Sequence, residues 1–209
     1  MKSLSSSTAM PKGCCNMDTI RSFIAIELPS NVKETVALII KRLRPAQHRY
    51  VKWVAPDGTH LTIKFLGNVS SDQIPQITGI MKTAAGKVPP LELHLGGLGM
   101  FPNEQRPRVI WVALEGNTEP LAAMQREIEK ALEPMGFAPE NRAFTPHLTL
   151  GRVRDNASPE ERKEIAGVVK EKKIDYDASF TLRELSLMKS TLTPTGAIYN
   201  RLDSAPFLA

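Results

Sequence analysis

Two four-residue words, His60-Leu61-Thr62-Ile63 and His147-Leu148-Thr149-Leu150, hold the residues of this chain best suited to chemistry. In each, a histidine stands two places before a threonine, and aliphatic residues fill the positions between and after. A β-strand sends alternate side chains to opposite faces. Each word therefore predicts a strand with an imidazole and a hydroxyl on one face and two aliphatic side chains on the other. Histidine is the side chain whose unperturbed pKa lies near neutrality, so one imidazole can take a proton while the other gives one. Threonine hydroxyls on the same face can donate to the charged non-bridging oxygens of a phosphate. Together these groups suit phosphodiester hydrolysis, in which attacking water loses a proton and the leaving oxygen gains one. Such a site asks for no metal ion and no cofactor, and none is expected. It favours a substrate that is already reactive, such as a strained five-membered cyclic phosphate.

Two cations stand close to these words. Arg152 lies five residues after His147, which on an ideal strand puts it on the opposite face. It can join the phosphate-holding group only if the backbone kinks or ends at Gly151. Lys64 has the same strand parity as His60 and Thr62 and is a second cationic candidate at the rim of the site, the alternative being a solvated charge at a strand end. The remaining histidines lack the pattern. His48 falls in a polar, basic stretch, and His94 has no matching hydroxyl, so both read as structural or surface residues.

The surrounding sequence supplies elements to carry the words. Strands are expected over Arg21–Leu28, Val51–Val54, Thr59–Leu66, Leu91–Phe101, Arg108–Leu114, Thr145–Arg152, Phe180–Lys189 and Ala197–Leu202. Helices are expected from Ser30 to about Leu43, where Pro45 stops the first, from Ser70 or Ser71 to about Ala85, from Thr118 to about Glu133, and after Ser158-Pro159-Glu160-Glu161. Gly96, Gly97 and Gly99 imply bulges or close backbone approach in the fourth strand. The order strand, helix, strand, word-bearing strand, helix, strand then runs roughly twice. The two histidines are 87 residues apart, near half of the folded portion. The fold class expected is α+β: two pseudo-symmetric antiparallel sheets facing a central cleft, with helices on the outer faces.

Composition narrows the setting. The chain has 209 residues, 42% hydrophobic and 23% charged, as in an ordinary soluble protein. Its formal charge is +5, and removing Lys2 and Lys12 of the N-terminal stretch leaves about +3. That is compatible with a polyanion partner without requiring one. No apolar run is long enough to span a bilayer. The two cysteines, Cys14 and Cys15, are adjacent, which excludes a disulfide-built or zinc–cysteine fold and fits a reducing cytoplasm. Residues 1–17 read as a disordered leader without the apolar core of a secretory signal, and 18–209 as a single bilobal domain. Lys41, Arg42, Arg44, Arg49 and Lys52 form a basic cluster that could track an RNA backbone or simply face solvent. Phe101, Trp53 or Trp111 could stack on a base, although Trp111 sits in an apolar strand that suits the core. No P-loop glycine motif is present.

The paired words resemble the two-histidine phosphoesterase superfamily, and most fully its LigT/ThpR branch, the RNA 2′,3′-cyclic phosphodiesterases, also called 2′-5′ RNA ligases. The likeness runs from about Ile20 onward. It includes Arg21-Ser22-Phe23-Ile24-Ala25-Ile26, Trp53, His60 to Gly67, Phe101-Pro102, Arg106 to Trp111, Pro146 to Arg152, Leu185 to Ser190 and Tyr199. It implies a bilobal fold and hydrolysis of a 2′,3′-cyclic phosphate to a 2′-phosphate, with possible joining of such an end to a 5′-hydroxyl. Carried onto this chain, it makes His60 the general acid, His147 the base that activates water, and Thr62, Thr149 and Arg152 the holders of the phosphate. The partner implied is RNA ending in a 2′,3′-cyclic phosphate, or a related nucleotide, met by a monomer away from membranes. Two other readings stay open: a phosphodiesterase for small cyclic nucleotide phosphates or 2′-5′ linkages, and an RNA-binding module without turnover.

Overall fold

The computed structural model describes residues 19–208 apart from 48, 141, 174, 175, 177 and 195. The expected leader, both cysteines and His48 lie outside the described residues. The elements are β1 (Thr19–Glu27), α1 (Ser30–Gln47), β2 (Val51–Trp53), β3 (His60–Ser70), α2 (Ile74–Ala85), β4 (Leu91–Phe101), β5 (Val109–Gly116), α3 (Thr118–Leu132), β6 (His147–Val153), α4 (Pro159–Glu171), β7 (Ser179–Leu182), β8 (Glu184–Thr193) and β9 (Gly196–Pro206).

Local chemistry explains most of these elements. In α1, Val32, Val36, Ile39, Ile40 and Leu43 recur at helical spacing and are all buried, each stabilising the fold by roughly 1.5–3 kcal/mol. The helix runs two residues beyond Pro45, which was expected to stop it. In α4, the Ser158 hydroxyl accepts the Glu161 N–H (3.3 Å) and the Glu161 carboxylate accepts the Ser158 N–H (2.6 Å), closing the first turn reciprocally. The strands bury Ile24, Ile26, Leu61, Ile63, Ile110, Val112, Leu148 and Leu150 in one hydrophobic core with the helices.

The two expected sheet halves are present and meet edge to edge. All strand pairings are antiparallel, and the order β7-β4-β5-β6-β3-β1-β8-β9 forms one strongly curled sheet. The seam is the pair Leu61–Leu148, between β3 and β6, and β2 also pairs with β6. About this seam the order is symmetric: β3 matches β6, β1 matches β5, β8 matches β4 and β9 matches β7. The helices obey the same symmetry, since α1 packs on α4 and α2 on α3.

The halves are not successive in sequence. After α2 the chain crosses over, and β4 pairs with β5 in the second half. The C-terminal hairpin β8–β9 returns to complete the first half beside β1. The expected single strand Phe180–Lys189 is in fact two strands in opposite halves. They part at Arg183, whose carbonyl accepts the Phe207 N–H (2.8 Å). Which sheet edge a strand joins depends on long-range pairing, and local patterning carries no record of it.

Candidate active site

The seam brings the two words together. Leu61 and Leu148, the second residue of each word, lie directly opposite on antiparallel strands, and both are fully buried. The flanking residues must therefore face the other way. His60 stands beside Thr149, and Thr62 beside His147, all four on the open face of the sheet. Each word thus completes the other: the threonine of each stands across the seam from the histidine of the other.

Each imidazole is oriented by its own backbone. His60 Nδ1 hydrogen-bonds the Gly58 carbonyl at 2.8 Å, and His147 Nδ1 the Thr145 carbonyl at 2.7 Å. A carbonyl only accepts, so Nδ1 carries the proton in both rings, and Nε2 is the nitrogen free to exchange protons with a ligand. The carbonyls are themselves held by tight connections: a 3-10 turn over Pro56–Gly58 before β3, and a Leu114 N–H to Pro146 O bond (3.0 Å) before β6.

Burial pulls both imidazoles below the ordinary histidine value, because desolvation disfavours the charged ring. The Nδ1–carbonyl bonds work in the opposite direction. The nearest charges differ between the rings. For His60 the leading charge is the Glu27 carboxylate, which favours imidazolium; for His147 it is the Arg152 guanidinium, which disfavours it. Glu27 is the cross-strand partner of His60 on β1, whereas the matching partner of His147 is Ala113. Arg201 holds Glu27 at 2.7 Å and Glu184 at 2.9 Å, and keeps the Glu27 carboxyl below its usual range.

Strand parity fails at the same place in each half, with opposite consequences for two expected residues. The β1–β3 pairing skips Ile63, and the β5–β6 pairing skips Leu150. A bulge adds one residue to one strand and reverses the parity of everything after it. Beyond Leu150, Arg152 therefore returns to the face of His147 and Thr149. Its charge lowers the proton affinity of both histidines. The expected kink at Gly151 arises one residue earlier, at Leu150. Gly151 is packed closely under β2, so an added Cβ would stand 2.7 Å from Val51 Cγ1.

Beyond Ile63 the same reversal removes Lys64 from the site. Lys64 is buried, with Nζ 2.6 Å from Glu129 Oε2 and 2.6 Å from the Ala138 carbonyl. It is neither at the rim nor solvated: it ties β3 to α3. Phe65 takes the position that matches Arg152 and is 57% exposed on the open face. The two halves are thus chemically unlike beside the histidines, apolar on one side and cationic on the other.

Aromatic rings wall both imidazoles. Phe23 and Tyr199 lie 4.7 and 5.0 Å from His60, and Phe101 and Trp111 lie 5.0 and 5.9 Å from His147, centroid to centroid. Trp111 is half-buried at the site and not in the core, and its indole covers Gly99 so closely that a Cβ there would stand 2.2 Å from the ring. Trp53, another stacking candidate, packs against the core. Glu27 and Phe65 were not singled out from sequence. Glu27 is placed by β1–β3 register and Phe65 by the bulge, and neither leaves a local signal. The basic cluster separates. The Arg42 guanidinium sits 4.6 Å from the Tyr176 ring, Arg49 lies over Tyr50, and Lys52 lies on β2, the neighbour of site strand β6. Among the described residues no group of three or more His, Cys, Asp or Glu side chains gathers as a metal site.

Two antiparallel His-x-Thr strands crossing at a buried seam, within a two-half α+β sheet, define a two-histidine phosphoesterase. The chain belongs to the 2′-5′ RNA ligase superfamily, whose family pattern matches residues 29–193. It is 34% identical to the RNA 2′,3′-cyclic phosphodiesterase of Methanothermobacter thermautotrophicus over 88% of this chain and 97% of that protein. It is 33% identical to the protein of the same name from Methanocaldococcus jannaschii, over 86% and 96%. In fold it is similar to the TT0787 protein of Thermus thermophilus (TM-score 0.73, 24% identity, 90% of this chain and 98% of that one). It is also similar to E. coli LigT complexed with 3′-AMP (TM-score 0.71, 23% identity, 91% and 99%). No helix among the described residues is long and apolar enough to cross a membrane.

Proposed function

We propose that this protein opens the 2′,3′-cyclic phosphate at an RNA end to a 2′-phosphomonoester, as a monomer in the cytoplasm. The carrying observation is the seam at Leu61–Leu148, which sets two imidazoles and two hydroxyls on one open face, to which the bulge at Leu150 returns Arg152. The names of the two archaeal relatives support the same substrate. In this reading His147 Nε2 takes a proton from water as the water oxygen bonds to phosphorus. The P–O3′ bond breaks, and His60 Nε2 protonates the departing 3′-oxygen. Thr62, Thr149 and Arg152 hold the non-bridging oxygens, whose charge is greatest in the transition state. The carboxylate opposite His60 supports its role as acid, because it favours the protonated ring. A 5′-hydroxyl in place of water gives a 2′-5′ linkage by the same path.

The test is incubation with an oligonucleotide ending in a 2′,3′-cyclic phosphate, with EDTA present. Quantitative conversion to the 2′-phosphate is expected. Release of a 3′-phosphate would reverse the leaving-group assignment, and strict dependence on added metal would overturn the histidine-only mechanism.

The pH profile follows from the two rings. One must be protonated and the other neutral, so kcat/KM should trace a bell. Both limbs report the free enzyme, where burial holds both rings below the ordinary value of about 6.5. A lowered pKa means the acid loses its proton at lower pH, and the base becomes free at lower pH as well. The maximum is therefore expected on the acid side of neutrality. A plateau extending above pH 8 would contradict this.

A further inference from the structure

Lys52 and Arg152 stand directly opposite each other in the β2–β6 pairing, and both are exposed. Their neighbours Val51 and Val153, also paired, turn into the core. Lys52 therefore shares the open face that carries His147, Thr149 and Arg152. Directly opposed residues of an antiparallel pair have Cβ atoms roughly 4.5–5.5 Å apart, and like charges so placed repel. Among the described residues neither cation forms an ion pair, although Lys64, Lys87, Lys170 and Arg201 all do. The strand that carries Lys52 is tied to β6 at both ends. The Val54 N–H donates to Leu150 O at 2.9 Å, and the Arg154 N–H donates to Tyr50 O at 2.7 Å. Two repelling, unneutralised cations on a fixed pair of strands form a site for external negative charge.

The reacting phosphate accounts for Arg152 but not for Lys52. Lys52 lies one strand across from Arg152, near the end of β6 that is remote from His147. The planar fork of arginine suits two oxygens of one phosphate, whereas lysine is a point charge on a flexible stem that can follow a mobile backbone. We propose that Lys52 binds the phosphodiester joining the terminal nucleotide to the one before it. The protein then distinguishes the end of an RNA chain from a free cyclic mononucleotide. This rests on the reading that the site opens cyclic phosphate ends.

The experiment compares three substrates ending in a 2′,3′-cyclic phosphate: a mononucleoside without a 5′-phosphate, a dinucleotide, and the same dinucleotide with a neutral methylphosphonate linkage. Lys52→Ala is expected to raise KM for the charged dinucleotide roughly tenfold relative to the mononucleoside, the loss of one charge-assisted contact. The methylphosphonate should bring the wild type to the level of Lys52→Ala and should not lower that variant further. Lys52→Arg should keep most of the preference, and Lys52→Glu should lose more than alanine does. The salt dependence of KM for the charged dinucleotide should flatten by about 0.7 in its log–log slope. Equal losses on all three substrates would overturn the proposal and place Lys52 on the reacting phosphate. An unchanged preference in Lys52→Ala would overturn it outright. A wild type inert on all three would instead defeat the reading of the site. In that case binding of an oligonucleotide ending in a 2′-phosphate, followed by fluorescence anisotropy, decides whether Lys52 contacts the chain.

Discussion

His60→Ala and His147→Ala are each expected to lower kcat on a cyclic-phosphate end by roughly 10²–10⁴-fold, the range lost with a positioned proton donor or acceptor. Groups that act on one proton-transfer path are not additive, so the double variant should be little slower than the worse single one. The two losses become distinguishable when the 3′-oxygen is replaced by sulfur. A thiolate departs without a proton, so His60→Ala should recover much of its rate on that substrate, whereas His147→Ala, still lacking a base, should not. Recovery in the opposite variant would exchange the two roles. Folding has to be checked alongside, because both rings have packing partners: His60 lies against Phe23 and Tyr199, and His147 against Phe101 and Trp111. Near-wild-type turnover by either alanine variant in a folded protein would end the two-histidine mechanism.

The largest stability loss is expected at Lys64. Its ammonium is the only cation paired with the Glu129 carboxylate among the described ion pairs, and both side chains are at most 10% exposed. Glu129 also accepts from the Gln125 amide (3.0 Å) and the Glu140 N–H (3.3 Å), neither of which neutralises it. Lys64→Ala therefore leaves a buried carboxylate without a counter-charge and the Ala138 carbonyl without its donor, a cost of about 3–5 kcal/mol. For a chain of this size that lowers Tm by the order of 10 °C. Removing both charges in Lys64→Met/Glu129→Gln should restore most of the stability, because no buried charge is then left without its partner. Denaturant titration of the two variants checks this. A loss below about 1 kcal/mol for Lys64→Ala would mean that the pair is solvated.

Lys64 and Arg152 show where reading by strand parity stops. An ideal alternation of side chains aims Lys64 at the site and Arg152 away from it. A bulge at Ile63 turns Lys64 inward, and a bulge at Leu150 turns Arg152 outward to the histidines. A bulge is an agreement between two strands far apart in sequence, and nothing in the words themselves announces it. The same holds for Glu27, which meets His60 only through register, and for Lys52, which leaves the apparent basic cluster when β2 pairs with β6.

The sequence by itself determined the α+β class, nearly all of the helices and strands, and the cast of two imidazoles and two hydroxyls. It could do so because these are local facts: periods of 3.6 and 2.0, capping residues, and residue types two places apart. Only the tertiary structure decided that the halves share one sheet, that the C-terminal hairpin completes the first half, and that each histidine stands beside the threonine of the other word. Pairing partner, register and bulge position are set by packing over the whole chain. The seam at Leu61–Leu148 is therefore visible only once both strands lie in place.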